Sequence, residues 1–203
     1  KFQINNNKTI EEVLTISSLK NEYDLFNYLI NEFLIINPRF YEEIPWMTVL
    51  LSNSCKNGKI KIVEKIVEFI QKIDSTEKDI TASFINAALF DFIDILEYLT
   101  NIPFIVNYEH LSASSQILKS ISYDVFSLII EKSPDNLKDT FLKNFIYPAI
   151  NNKNKGLTEY ILKQNNEFEN SLIEAVKSND LEMVKLVLKY NSSSKVLNKI
   201  ESN

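Results

Sequence analysis

The chain has 203 residues, of which 45% are hydrophobic and 11% aromatic, and it carries a net charge of −5 with a single cysteine. This is enough apolar material for a packed core and too much for disorder, and mild acidity argues against general nucleic-acid binding, which depends on neutralising phosphates. One cysteine rules out an internal disulfide and suits a reducing, cytoplasmic setting.

No apolar run approaches ~18 residues, so no membrane span is expected. The opening KFQINNNKTI lacks the basic and apolar regions of a signal peptide. It also lacks an initiator Met, so the chain is read as open to being a fragment. Two glycines and five prolines are few for a fold of hairpins or phosphate loops. Apolar residues recur at three- and four-residue spacing, which predicts an all-α protein.

In chain order, one phrase returns six times. It reads SSLKNEYDLFNYLI from Ser17, SCKNGKIKIVEKIV from Ser54 and AALFDFIDILEYL from Ala87. It returns as ILKSISYDVFSLII from Ile117, AINNKNKGLTEYIL from Ala149 and AVKSNDLEMVKLVL from Ala175. Each copy places an anchor, small in all but Ile117, near the end of one helix. A polar break follows, then a second apolar helix. The last copy is the clearest. Leu172, Ile173 and Val176 form one stripe, and Leu181, Val184, Val187 and Leu188 another. Between them, Asn179 tolerates the left-handed conformation that ends helices, and Asp180 favours the start of the next. Neither short helix is stable alone, so each needs a neighbour. The anchors are 37, 33, 30, 32 and 26 residues apart. A period of about 33 marks stacked helix pairs, so the expected architecture is an α-solenoid of about six pairs over residues 1–203.

The phrase resembles the ankyrin repeat. The matching residues are Ala87-Ala88 with Ile93-Asp94-Ile95-Leu96-Glu97-Tyr98-Leu99, and Ala175 with Leu181-Glu182-Met183-Val184-Lys185-Leu186. Asn57-Gly58 sits where that family ends its first helix. The resemblance covers residues 9–190. No copy carries the family's Thr-Pro-Leu-His opening or its Gly-Ala-Asp hairpin. At the family's turn glycine stand Asn21, Gly58, Asp91, Ile121, Lys153 and Asn179; Ile121 alone is branched and ill suited to a left-handed turn. Pro148 falls within the fifth copy's first helix, at a cost of ~3 kcal/mol unless the helix begins there. The resemblance implies irregular loops at 34–45, 71–80, 101–109, 132–139 and 163–169. Residues 192–203 read as a turn and a short helix, a C-terminal cap or the start of a seventh unit.

Catalytic groups are sparse. His110 stands alone beside a loop, and Cys55 occupies a small helical position that predicts burial and an inert thiol. One His and one Cys make no standard zinc site, and two separated glycines make no phosphate cradle. Glu11-Glu12 and Glu42-Glu43 are adjacent pairs, which diverge. Ser52, Ser54, Ser112, Ser114 and Ser115 have no base at a motif spacing. Lys56, Lys59, Lys61 and Lys65 form a basic cluster, read as a solvated face. No enzyme activity, cofactor or metal is expected.

The resemblance implies a protein-binding scaffold, monomeric, that grips a partner protein in a groove lined by the residues after each anchor. Lys56, Leu89, Phe90, Lys119, Asn152 and Lys177 stand at these positions, with Trp46 and Tyr108 reaching in from adjacent loops. Leu89-Phe90 is the one wholly apolar pair, and Phe90 is read either as a binding hot spot or as gap-filling core. The alternative is a targeting or structural arm of a larger enzyme or effector whose active part lies elsewhere.

Overall fold

The computed structural model describes residues 7–36, 44–73, 78–114, 117, 121–164 and 170–191. Among these the chain is helical throughout, and its strand content is one parallel bridge between Asp79 and Ile105. No helix among them is long and apolar enough to cross a membrane. The chain divides into two compact units, Lys1–Asn107 and Tyr108–Asn203.

The first unit holds α1 (Asn7–Leu19), α2 (Tyr23–Ile36), α3 (Ile44–Lys56), α4 (Ile60–Ile73), α5 (Thr81–Leu89) and α6 (Ile93–Thr100). Consecutive helices pack as pairs, α1 on α2, α3 on α4 and α5 on α6. The first members also pack in series, α1 on α3 on α5, and so do the second members, α2 on α4 on α6. The sequence accounts for this. A second helix such as IKIVEKIVEFIQKI places Ile62, Val63, Ile66 and Val67 on adjoining positions, and all four are buried. The broad apolar stripe faces its partner helix and its neighbour pair at once. Outside the helices, Ile80 N–H donates to the Ile105 carbonyl at 2.9 Å and Ile105 N–H to the Lys78 carbonyl at 2.7 Å. Thr81 Oγ1 accepts from Asn107 N–H at 2.7 Å. These bonds tie the entry to α5 to the loop that leaves α6.

The second unit holds α7 (Tyr108–Ala113), α8 (Tyr123–Lys132), α9 (Asp135–Asn151), α10 (Lys155–Gln164), α11 (Ser171–Lys177) and α12 (Leu181–Asn191). Here α7, α9 and α11 pack in series, as do α8, α10 and α12, with α9 on α10 and α11 on α12. Phe126, Phe141 and Phe145 fill its core. The Phe126 and Phe145 rings lie 4.8 Å apart and the Phe141 and Phe145 rings 6.0 Å apart.

Three expectations are corrected. Residues 132–139 are not a loop, because α8 ends at Lys132 and α9 begins at Asp135, with Ser133 and Pro134 between. Pro134 holds φ −55° and ψ 141° as the residue before the helix, a conformation proline favours. Pro148 does not start its helix; it lies inside α9. The carbonyl it leaves without an amide partner is that of Asn144, an exposed residue that water can serve. The stripes of the last copy are also turned. Ile173, Val176, Leu181 and Leu188 are exposed, while Ser171, Ala175, Met183 and Val187 are buried. Small residues let α11 approach α9 closely, and that contact fixes which face turns in.

Candidate interaction surface

The breaks between paired helices share one geometry. Asn21, Gly58, Asp91, Lys153 and Asn179 all have left-handed φ, between 52° and 66°. These are five of the six turn positions named from sequence; the sixth, Ile121, is buried. In the first four of these turns the next residue closes the turn onto the anchor, whereas at Asn179 the anchor carbonyl of Ala175 accepts from Ser178 Oγ at 2.7 Å. Glu22 N–H donates to the Ser17 carbonyl at 2.9 Å, Lys59 to Ser54 at 3.1 Å, Phe92 to Ala87 at 3.1 Å and Asn154 to Ala149 at 2.9 Å. A second bond runs from the left-handed residue itself to the residue after the anchor: Asn21 to Ser18, Gly58 to Cys55, Asp91 to Ala88, Lys153 to Ile150 and Asn179 to Val176. At the first four turns the two bonds make the Schellman pair, which satisfies the last carbonyls of the first helix. Caps start the second helices. Asp180 Oδ1 accepts from the Glu182 and Met183 amides at 3.0 and 3.1 Å, and those backbone bonds, Met183's first, hold its carboxyl below the ordinary value. Asn154 Oδ1 accepts from Leu157 N–H at 3.1 Å.

In the first unit these turns are neighbours. Ser18 and Ser54, the residue after one anchor and the next anchor itself, share a hydrogen bond of 2.7 Å between their hydroxyls. A Cβ placed on Gly58 would fall 2.5 Å from Phe92 Cε1, so the second and third turns touch through that ring. Phe90 ends α5 beside it, its ring stacked 6.4 Å from that of Phe92. Phe90 is 49% exposed, so it does not fill the core, and Leu89 is half-buried. Lys56 lies exposed on the second turn.

The remaining candidates scatter. Trp46 is not in a loop upstream of a helix; it lies inside α3, because Pro45 occupies the first turn, where its missing N–H costs nothing. It lines an open cleft of about 360 Å³ with Glu11, Glu12, Thr15 and Ile16 of α1. Tyr108 likewise opens helix α7 rather than sitting in a loop, and burial raises its pKa. Asn152 and Lys177 are exposed at the ends of α9 and α11 in the second unit, and Lys177 pairs with Glu174 at 2.7 Å. Lys119 lies outside the described residues. The basic cluster is dispersed: Lys61 stands 6.0 Å above the Tyr23 ring, and Lys65 is paired with Glu68 at 3.2 Å.

Cys55 is fully buried, and desolvation pushes its thiol up to about 12. Such a thiol is not a nucleophile at neutral pH. Sequence reasoning missed Phe92, which covers Gly58. The signal was present, since Phe92 stands at the same place in its copy as Lys59 and Asn154 do in theirs.

No protein-family model matches the chain, and no curated protein or solved structure is significantly similar to it.

Proposed function

We propose that the protein is a divergent ankyrin-like scaffold, each unit a run of three stacked helical hairpins, that binds a partner protein along its turn edge. The observation that supports this reading most is the recurrence of one left-handed turn, at Asn21, Gly58, Asp91, Lys153 and Asn179, closed as a Schellman pair at the first four. A repeated turn on repeated hairpins presents the residues at each turn in a row. Within the first unit that row carries polar Lys20, Lys56 and Asn57, then exposed Phe90. An aromatic among polar neighbours is the composition of a binding hot spot. The same surface would serve whether the chain works alone or as an arm of a larger protein.

The test uses Phe90→Ala. Partners are captured by crosslinking in the native cell, identified by mass spectrometry, and titrated against purified wild-type and variant protein. The expected outcome is an almost unchanged melting temperature with binding weakened by at least ~2 kcal/mol. Equal affinity, or a large fall in melting temperature, would remove Phe90 from the interface.

A further inference from the structure

The cleft between α1 and α3 joins two carboxylates to an indole. On α1, Glu11 and Thr15 are four residues apart, and so are Glu12 and Ile16, so the four make one patch two rows wide. Both glutamates lie beyond the first turn of α1, which holds no acidic residue, so neither is placed to offset the helix dipole. Trp46 of α3 completes the described lining, and the cleft encloses about 360 Å³, within the range of ligand pockets. Trp46 is the chain's one tryptophan, and it is half-buried rather than sunk in the core. From the cleft an exposed apolar strip leads towards the turns: Ile16 and Leu19 on α1, and Val49 on α3, one turn on from Trp46.

We propose that this cleft receives a lysine or arginine side chain of the partner protein, flanked in the partner by apolar residues. The proposal rests on the scaffold reading above and adds the chemistry of the partner. Charge complementarity selects the occupant. Among the described residues that line the cleft, two are carboxylates, none is basic and one is aromatic. Of the aromatic rings, an indole face holds a cation best. Ile16 and the indole offer an apolar wall to the long stem of lysine or arginine, while the charged end meets Glu11 and Glu12. A quaternary ammonium group would need a cage of several rings. The strip of Ile16, Leu19 and Val49 makes the cation's neighbours apolar.

The test uses the full chain and two capped pentapeptides, acetyl-Ala-Leu-Arg-Leu-Ala-amide and its counterpart with citrulline, a neutral isostere, in place of arginine. The fluorescence of Trp46 reads the cleft itself. At low salt the arginine peptide should change the emission saturably and bind about tenfold more tightly than the citrulline peptide, a gap that narrows at high salt. Glu12→Gln should weaken the arginine peptide about threefold and spare the citrulline peptide. Its melting temperature should stay unmoved, because Glu12 is exposed. Glu64→Gln, at an exposed position of α4, should change neither affinity. The proposal is overturned if the arginine peptide gives no saturable change, or if the two peptides bind equally. It is also overturned if Glu12→Gln binds as the wild type does, or if Glu64→Gln loses as much, which would assign the effect to net charge. The scaffold reading fails separately, through Phe90→Ala: a native partner that needs Phe90 and not Glu12 would keep the turn edge and remove the cleft.

Discussion

The second and fifth hairpins build the same turn with opposite materials. In α3–α4 the left-handed residue is Gly58 and the residue after it is Lys59, only half-buried. The second helix buries Val63 beside it. In α9–α10 the left-handed residue is Lys153, the residue after it is the bonded Asn154, and the position of Val63 is held by Thr158. Thr158 is fully buried, and its hydroxyl has no hydrogen-bond partner. Backbone geometry is therefore what these two regions share, and side chains are free to reach it with or without strain. The second hairpin reaches it with a glycine and a dry core. The fifth accepts a strained lysine and an orphan hydroxyl, and compensates with asparagine.

The sharpest test of the dry core is Cys55, whose counterpart in the fifth hairpin is Ile150. Alkylation by a neutral thiol reagent should be slower in the folded protein than in denaturant by a factor of ~10³ or more, if access needs opening of the unit. Equal rates would expose the second hairpin. The raised thiol pKa adds a pH signature. The unfolded thiol ionises near ~8.5 and the folded one far higher. The folded state thus holds the proton longer. The contribution to stability is full below the unfolded value and is lost as pH rises towards about 12.

Gly58→Ala should cost about 2 kcal/mol or more, from left-handed strain together with the clash against Phe92. The reciprocal change, Lys153→Gly, should be neutral or slightly stabilising, because relief of strain opposes the added freedom of the unfolded chain. Urea melts of both variants check the pair, and a tolerated Gly58→Ala would break the contrast.

Asn154→Ala should cost about 1–2 kcal/mol, the value of a helix N-cap, while Lys59→Ala at the same position should cost almost nothing. Asn154 also donates from Nδ2 to the Ile121 carbonyl at 3.4 Å, so removing its side chain strands groups in two copies. Equal effects at the two sites in thermal melts would show the asparagine to be incidental.

Thr158→Val should stabilise by about 1 kcal/mol, since it removes a buried hydroxyl with no partner and leaves the shape. Val63→Thr should destabilise by a similar or larger amount. A destabilising Thr158→Val in the same melts would mean that the hydroxyl is satisfied in solution.

Much of this contrast is legible in the sequence. The small anchors locate all five left-handed turns, because a helix that must stop and reverse within a few residues has few solutions; Asn, Asp and Gly mark four of them, and Lys153 is located by its anchor alone. Periodicity misreads the faces of α11, because it counts large residues. Burial there follows the small ones, Ser171 and Ala175, at a close helix contact. The start of α9 is hidden because the family resemblance supplies a loop at 132–139, against the local signal of Pro134 followed by Asp135. Trp46 is placed outside its helix for the same kind of reason, since the resemblance supplies a loop at 34–45 where α3 already begins at Ile44. The groove itself is the least legible part, since a single sequence gives the order of candidate residues and not which of them share a surface.

The turn at Asn57-Gly58 also governs chemical ageing. In an Asn-Gly step the side-chain amide is easily lost, because no Cβ shields the glycine nitrogen as it attacks the asparagine side-chain carbonyl. Here that nitrogen donates its hydrogen to the Cys55 carbonyl at 3.2 Å, and Asn57 Nδ2 donates to the Asn53 carbonyl at 2.6 Å. Cyclisation needs both bonds released and the turn opened. The step that turns the second hairpin therefore also records how often that turn opens: isoaspartate at residue 57 would accumulate only as fast as it does.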